Sequence, residues 1–173
     1  MRSCYASGAT CGPNHTGEGE GTLGQTAADV DITIREFKIE DYPAVQSLWA
    51  EAGLPFRPLG RDRPERVAAE ITRDTAVFLV AAVGDRLAGV VFGTHDGRRG
   101  WINRLAVAPA FQRRGVARRL VREVERRLEA RGLEITSALI ESENEASMRF
   151  FAAIGYVHGG DIEYFSKRRS ADT

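Results

Sequence analysis

"RLAVAPAFQRRGVARRLV", Arg104 to Val121, carries three structural signals back to back. Leu105, Ala106, Val107 and Ala108 form an apolar run that stops at Pro109, which reads as the end of a buried strand. Gln112-Arg113-Arg114-Gly115 then forms a glycine-bearing turn. From there Val116, Leu120, Val121, Val124 and Leu128 recur at helical spacing with Arg and Glu opposite, and Gly132 supplies the stop. A strand, a glycine turn and a helix start follow one another without a spacer.

That order has a chemical consequence. The first N–H groups of a helix have no partner inside it and lie at the positive end of its dipole. Gly115 permits close approach to the backbone, Ala117 is too small to block it, and Arg113, Arg114 and Arg118 add positive charge. Gln112 through Ala117 is therefore a candidate cradle for a phosphate or pyrophosphate. The competing reading is an ordinary strand-to-helix turn with solvated arginines, and these residues alone leave both open.

Upstream, "ITIREF" (32–37) alternates as a strand, and "EDYPAVQSLWAEAG" (40–53) places Val45, Leu48 and Trp49 at helical spacing before Gly53. "LPFRPLGRDRP" (54–64) is a loop, and Pro64 opens a second, short helix. "AVFLVAAV" (76–83), "LAGVVFGTHD" (87–96) and "WINRLAVA" (101–108) read as a three-stranded antiparallel meander joined at Gly84-Asp85 and "GRRG". Downstream, "LEITSALIE" (133–141) is a strand and "NEASMRFFAAIG" (144–155) a helix. "YVHGGDIEYFSKR" (156–168) predicts two short strands around Gly159-Gly160. The order is β-α-α-β-β-β-α-β-α-β-β, an α/β (α+β) pattern without internal repeats.

Composition limits what such a fold can do. At 173 residues, 43% hydrophobic and 28% charged, the chain has the makings of one domain, placed at 30–169. Residues 1–29 are rich in Gly, Ser, Thr and Glu without periodicity and are expected to be a disordered extension; 170–173 are expected to fray. A formal net charge of zero argues against a nucleic-acid partner. No run has the length of a membrane span and the start lacks signal-peptide order, so no membrane partner and a cytoplasmic location are expected. Cys4 and Cys11 with His15 match no zinc spacing and have no fourth ligand, so no metal is expected.

The stretch Leu105–Val121 resembles the signature of the GNAT superfamily of N-acetyltransferases, in which Gln or Arg, two residues, Gly, one residue, and Gly or Ala follow in order. Here these are Gln112, Gly115 and Ala117. The resemblance extends to the element order from Ile32 to Arg168 and to the downstream "N-x-x-S…F-F-x-x-x-G-Y" helix. It implies a mixed, mostly antiparallel central sheet flanked by helices, with acetyl-CoA as co-substrate. The coenzyme's pyrophosphate would sit on Gln112, Arg113, Arg114, Gly115, Val116, Ala117 and Arg118. Its pantetheine arm would pair with the backbone of Leu105, Ala106 and Val107, where the strand is bulged and splayed from its neighbour "SALIE". Asn144, Ser147 and Phe151 match coenzyme-contacting positions of the next helix; Asn144 is equally a good helix cap.

Attack of an amine on a thioester needs a neutral amine, a donor for the developing oxyanion, and a proton for the departing thiolate. The resemblance supplies a backbone N–H near Val107 as the donor. Many members place a Tyr seven residues after the helix-opening Asn, and here Phe151 stands there, which cannot donate a proton. Tyr156 is the alternative acid, though an aromatic after Gly155 is also a packing ring. Glu141, at the strand end, is the candidate base, with a solvated strand-end carboxylate as the competing reading.

Phe56, Arg57, Asp96, Trp101, Asn103 and Arg104 are the candidate acceptor-site residues; Trp49 is at core spacing and His95 at a strand end. The expected activity is acetyl transfer to a primary amine of a small molecule or peptide. A coenzyme-A-binding sensor without transfer is the alternative that Phe151 favours. A nucleic-acid role for the arginine-rich helix is opposed by its interleaved glutamates. A homodimer through the C-terminal strands is a further expectation by resemblance.

Overall fold

The computed structural model describes residues 31–167. The expected extension at 1–29, its two cysteines and His15, and the chain end at 170–173 lie outside these residues. Strand β1, Thr33–Glu36, leads through a 3-10 turn at Ile39–Asp41 into helix α1, Tyr42–Glu51. The turn is held to β1 by a two-pronged bond from Arg35 to the Asp41 carboxylate at 2.7 and 2.8 Å, which keeps that carboxyl below its ordinary pKa. Helix α2 spans Pro64–Ile71, with proline in its first turn where a missing N–H costs nothing.

The meander forms as β2, Ala76–Val83; β3, Arg86–His95; and β4, Gly100–Val107. Helix α3, Val116–Glu129, strand β5, Thr136–Ala138, and helix α4, Glu145–Ala153, complete the order. The sheet has five strands in the order β1-β2-β3-β4-β5, antiparallel except for β4 with β5, which run parallel.

Each face of the sheet has its own packing rule. On one, a Cβ at Gly89 would stand 2.8 Å from Val116, one at Gly93 2.7 Å from Val124, and one at Gly100 2.5 Å from Leu128. These glycines let α3 press its apolar stripe directly onto the strands, and Leu120, Val124 and Leu128 are fully buried there. On the other face, Phe78 and Phe92 stack with ring centroids 3.9 Å apart, and Phe37 and Trp49 each meet Phe92 edge-on at 5.4 Å. Trp49 is core, as its spacing predicts; its indole N–H is buried without a partner among the described residues, which nothing in the structure explains.

The end of the chain departs from expectation. Residues 157–167 form no strand; only the turn at Gly159-Gly160 appears, with Ile162 N–H bonding the Gly159 carbonyl at 3.2 Å. Val157, Ile162, Tyr164 and Phe165 stay exposed. An isolated hairpin is marginal without a sheet to bury one face, and β5 ends after three residues instead of running to Glu141. Among the described residues no helix is long and apolar enough to cross a membrane.

Candidate active site

Strand β4 is where the sheet opens. Val90 faces Ala106 and Phe92 faces Asn103, so Val91 alone opposes Arg104 and Leu105: a β-bulge. Arg104 takes the left-handed conformation, φ 50°, that such a bulge imposes and that a non-glycine residue rarely adopts. On the other side β5 pairs only with Gly100, Trp101 and Ile102. Beyond that point the strands diverge, and among the described residues Asn103 to Val107 have no partner strand on this edge.

The free edge offers backbone groups. Ala108 N–H bonds the Ala88 carbonyl on β3 at 3.0 Å, whereas the Val107 carbonyl receives the Gln112 side-chain amide at 3.2 Å. Because strand groups alternate in direction, the Val107 N–H points to the open side. The divergence leaves a cleft of about 650 Å³. One wall is Asn103, Arg104 and Leu105, the other Leu139, Ile140 and Glu141, and Asn144, Ser147 and Phe151 of α4 also line it. Asn144 caps α4, its side-chain oxygen accepting the Ser147 N–H at 3.0 Å, so both predicted roles remain compatible with its position.

The turn before α3 has the geometry its sequence predicts. Gly115 is the N-cap at φ 80°, its carbonyl accepting Arg119 N–H at 3.0 Å, and Arg113 is also left-handed, at φ 60°. A Cβ on Gly115 would have nothing within 4 Å, so open space lies beside the backbone at the start of α3, whose first-turn N–H groups have no partner inside the helix. Gln112, Arg113, Arg114 and Arg118 are exposed around it, while Val116 is buried beneath and Ala117 half-buried. Such a turn can hold an anion of phosphate size, and the bulged edge can hold an extended chain.

The loop between α1 and α2 lines one side of the cleft. Asp62, the only buried charged residue among those described, accepts Arg104 Nη2 at 2.5 Å and the Arg57 N–H at 2.6 Å. Arg104 also donates to the Pro55 carbonyl at 2.6 Å, and the Tyr42 hydroxyl bonds the Asp62 carbonyl at 2.6 Å. Burial lowers the Arg104 pKa, with Asp62 opposing the shift. Breaking one member of such a pair costs far more than making it yields, so this contact fixes the loop on the bulge.

The other predicted residues divide. Arg57, Asn103 and Arg104 reach the cleft, Asn103 donating weakly to the Thr94 hydroxyl at 3.4 Å. Asp96 and Trp101 do not: Asp96 closes the β3–β4 turn, accepting Arg98 and Arg99 N–H at 2.8 Å each and the Trp101 indole at 3.4 Å. A short carboxylate beside "GRRG" meets the turn's own amides before it can meet a ligand. Phe56 packs on Trp49 at 5.7 Å and is not among the cleft's lining residues.

Tyr156 is likewise drawn away. Its hydroxyl donates to Glu125 Oε1 on α3 at 2.8 Å and its ring packs on Phe151 at 4.9 Å, outside the cleft. Burial, then the bond to Glu125, raises its pKa, which makes it a poorer proton donor. Glu141 does line the cleft, whereas its neighbour Glu143 accepts the Ser142 hydroxyl at 2.7 Å, a bond that lowers its pKa.

Asp62, Glu70 and Tyr164 also line the cleft and were not anticipated. Asp62 lies in "GRDRP", which reads only as a turn, and its partner is forty-two residues away. Glu70 follows Val67 on a short helix whose register alone gives it a cleft-side place, a signal that was available.

The fold has well-matched solved counterparts. The aminoglycoside N-acetyltransferase AAC(6')-Iy, in complex with the bisubstrate analog CoA-S-monomethyl-acetylneamine, is 19% identical. It superposes with a TM-score of 0.67 over 79% of this chain and 98% of that one. The PaiA N-acetyltransferase of Thermoplasma acidophilum, in complex with coenzyme A, is 20% identical, with a TM-score of 0.65 over 72% and 89% of the two chains. An aminoglycoside acetyltransferase from an uncultured soil metagenomic sample is 15% identical, with a TM-score of 0.66 over 80% and 97%. At these identities the likeness is one of fold. The family model described as the acetyltransferase (GNAT) family matches residues 42–156, which include the meander, the glycine turn, the splayed strands and the last helix. The chain therefore belongs to the GNAT family of acetyltransferases.

Proposed function

We propose that this protein transfers the acetyl group of acetyl-CoA directly to a primary amine, with the coenzyme laid along the free edge of β4 and its pyrophosphate on Gln112–Ala117. The observation that carries this is order along the chain: Leu105 lines the cleft beside the opening at Ile102, the unpaired edge at Val107 follows it, and the left-handed Gly115 turn comes next. The open space over Gly115 fits a phosphate there, with Arg113, Arg114 and Arg118 at hand. Two of the solved counterparts hold coenzyme A or an analog of it, which supports the same co-substrate here.

The chain's own groups then divide the work. An incoming ammonium gives a proton to Glu141, directly or through water, and the neutral nitrogen forms its bond to the thioester carbon. The Val107 N–H, fixed by the strand, donates to the carbonyl oxygen as charge builds on it. The carbon–sulfur bond breaks, and the thiolate takes the second amine proton through water, because Phe151 lines the cleft where a phenol would serve. Amide and free thiol leave, and the carboxylate is regenerated.

The test is to mix the protein with acetyl-CoA and a panel of primary amines and follow free thiol. Amine-dependent release is the expected result. Calorimetrically confirmed coenzyme binding with no release from any amine would favour a non-transferring binding module instead.

A further inference from the structure

The acceptor end of the cleft carries more positive charge than its own carboxylate can neutralise. Arg104 and Arg61 share Asp62, at 2.5 and 3.9 Å, and the Arg57 backbone N–H bonds the same oxygen. Arg57 and Arg61 both lie close enough for their charges to oppose that of Arg104. No other carboxylate pairs with any of these guanidinium groups among the described residues; Glu70 lines the same cleft but forms no ion pair with them. Arg104 is spent on Asp62 and Pro55, so Arg57 and Arg61 remain as exposed cations on a rigid, internally bonded loop.

The loop's rigidity matters as much as its charge. The Asp62 N–H and the Gly60 N–H both bond the Arg57 carbonyl, at 3.1 and 3.0 Å, so the two arginines are displayed from a closed turn. Glu141, the one cleft carboxylate on the segment after β5, stands on the wall that diverges from β4. One part of the cleft therefore favours an anion and another a cation.

We propose, resting on the acetyl-transfer reading above, that the acceptor is an amine that also bears an anionic group, a carboxylate or phosphate held by Arg57 and Arg61 while the amine faces Glu141. An α-amino acid or a phosphorylated amino alcohol has this layout. A polycation such as spermidine or an aminoglycoside does not, because it would bring several positive charges against the surplus on this loop.

Matched pairs test this. Phenylalanine against phenethylamine and tyrosine against tyramine vary a carboxylate alone; phosphoethanolamine against ethanolamine varies a phosphate. Spermidine and neamine represent polycations. The anionic member of at least one pair should exceed its partner by about tenfold or more in kcat/KM, the scale of one charge-assisted hydrogen bond. Arg57→Gln and Arg61→Gln should each shrink that ratio through KM. Calorimetric titration with the N-acetylated products, N-acetylphenylalanine against N-acetylphenethylamine and N-acetylphosphoethanolamine against N-acetylethanolamine, reads anion recognition without turnover. If the chain fails to turn over but still prefers an anionic product, the transfer reading falls and with it the acceptor role, while anion recognition by Arg57 and Arg61 stands. Equal binding of the paired products, equal ratios in the arginine variants, or a polycation turned over best overturns it.

Discussion

At the coenzyme end proposed above, one continuous segment, Gln112 to Ala117, would do the binding with backbone N–H groups and a left-handed glycine. At the α1–α2 end, groups from three distant segments converge: Arg57 and Asp62 from a loop, Arg104 from the bulge of β4, and Glu141 from beyond β5. The first end depends on local geometry and tolerates many side chains. The second depends on side-chain identity and on the sheet bringing the segments together. A family can thus keep its coenzyme end while its acceptor end changes, which is why counterparts at about one-fifth identity share this fold without fixing the acceptor.

The largest effect is expected at the assembled end. Asp62→Ala leaves the half-buried Arg104 without its carboxylate and should cost about 3 kcal/mol, read by chemical denaturation. The folded fraction should still bind coenzyme, since the α3 turn shares no contact with this pair. A loss of coenzyme affinity in parallel with stability would break the independence of the two ends.

Glu141→Gln comes next, with kcat expected to fall about 10²-fold, the lower range for a missing general base. Coenzyme affinity should hold, and an unchanged kcat would remove Glu141 from the mechanism. Gly115→Val forces a β-branched residue to φ 80° and fills the space above the turn. Strain of about 1–2 kcal/mol adds to the steric block, so coenzyme should bind at least about tenfold more weakly. Acceptor preference, measured at saturating coenzyme, should not change.

Two smaller changes lie off the cleft and sharpen the contrast by leaving both ends alone. Tyr156→Phe removes the bond to Glu125 and should cost about 0.5–1.5 kcal/mol of stability. Its kcat should match the parent's; a fall of tenfold or more would restore Tyr156 as a proton donor. Glu123 is held down to a pKa of about 2 by its bonds to Arg126 and Arg127. Its folded value lies below the ordinary carboxylate range, so its stabilisation is present at neutral pH and is lost as pH falls from about 4 toward 2. Glu123→Gln should flatten stability over that window and do nothing to turnover.

Most of the fold could be read directly. The five-residue run of helical spacing from Val116 to Leu128 predicted α3, and the turn signals at Gly84 and "GRRG" predicted the meander. The C-terminal strands failed because the alternation in "YVHGGDIEYFSKR" states a propensity, and a strand needs an edge to join. Asp96 and Trp101 lie off the cleft for a related reason: their polarity was legible, but Asp96 is taken up by the turn's own amides and by the Trp101 indole.

The chain by itself determined whatever depends on neighbours in sequence: the strand, the glycine at φ 80°, and the helix whose first N–H groups stand unpaired above it. These follow from backbone sterics and from spacing. The tertiary structure alone decided that β4 leaves β5 after Ile102, that Arg104 turns at a bulge to reach Asp62, and that Tyr156 faces Glu125 and not the cleft. Each of these is set by which partner a side chain or strand edge meets across the sheet, and no pattern within a few residues encodes that meeting.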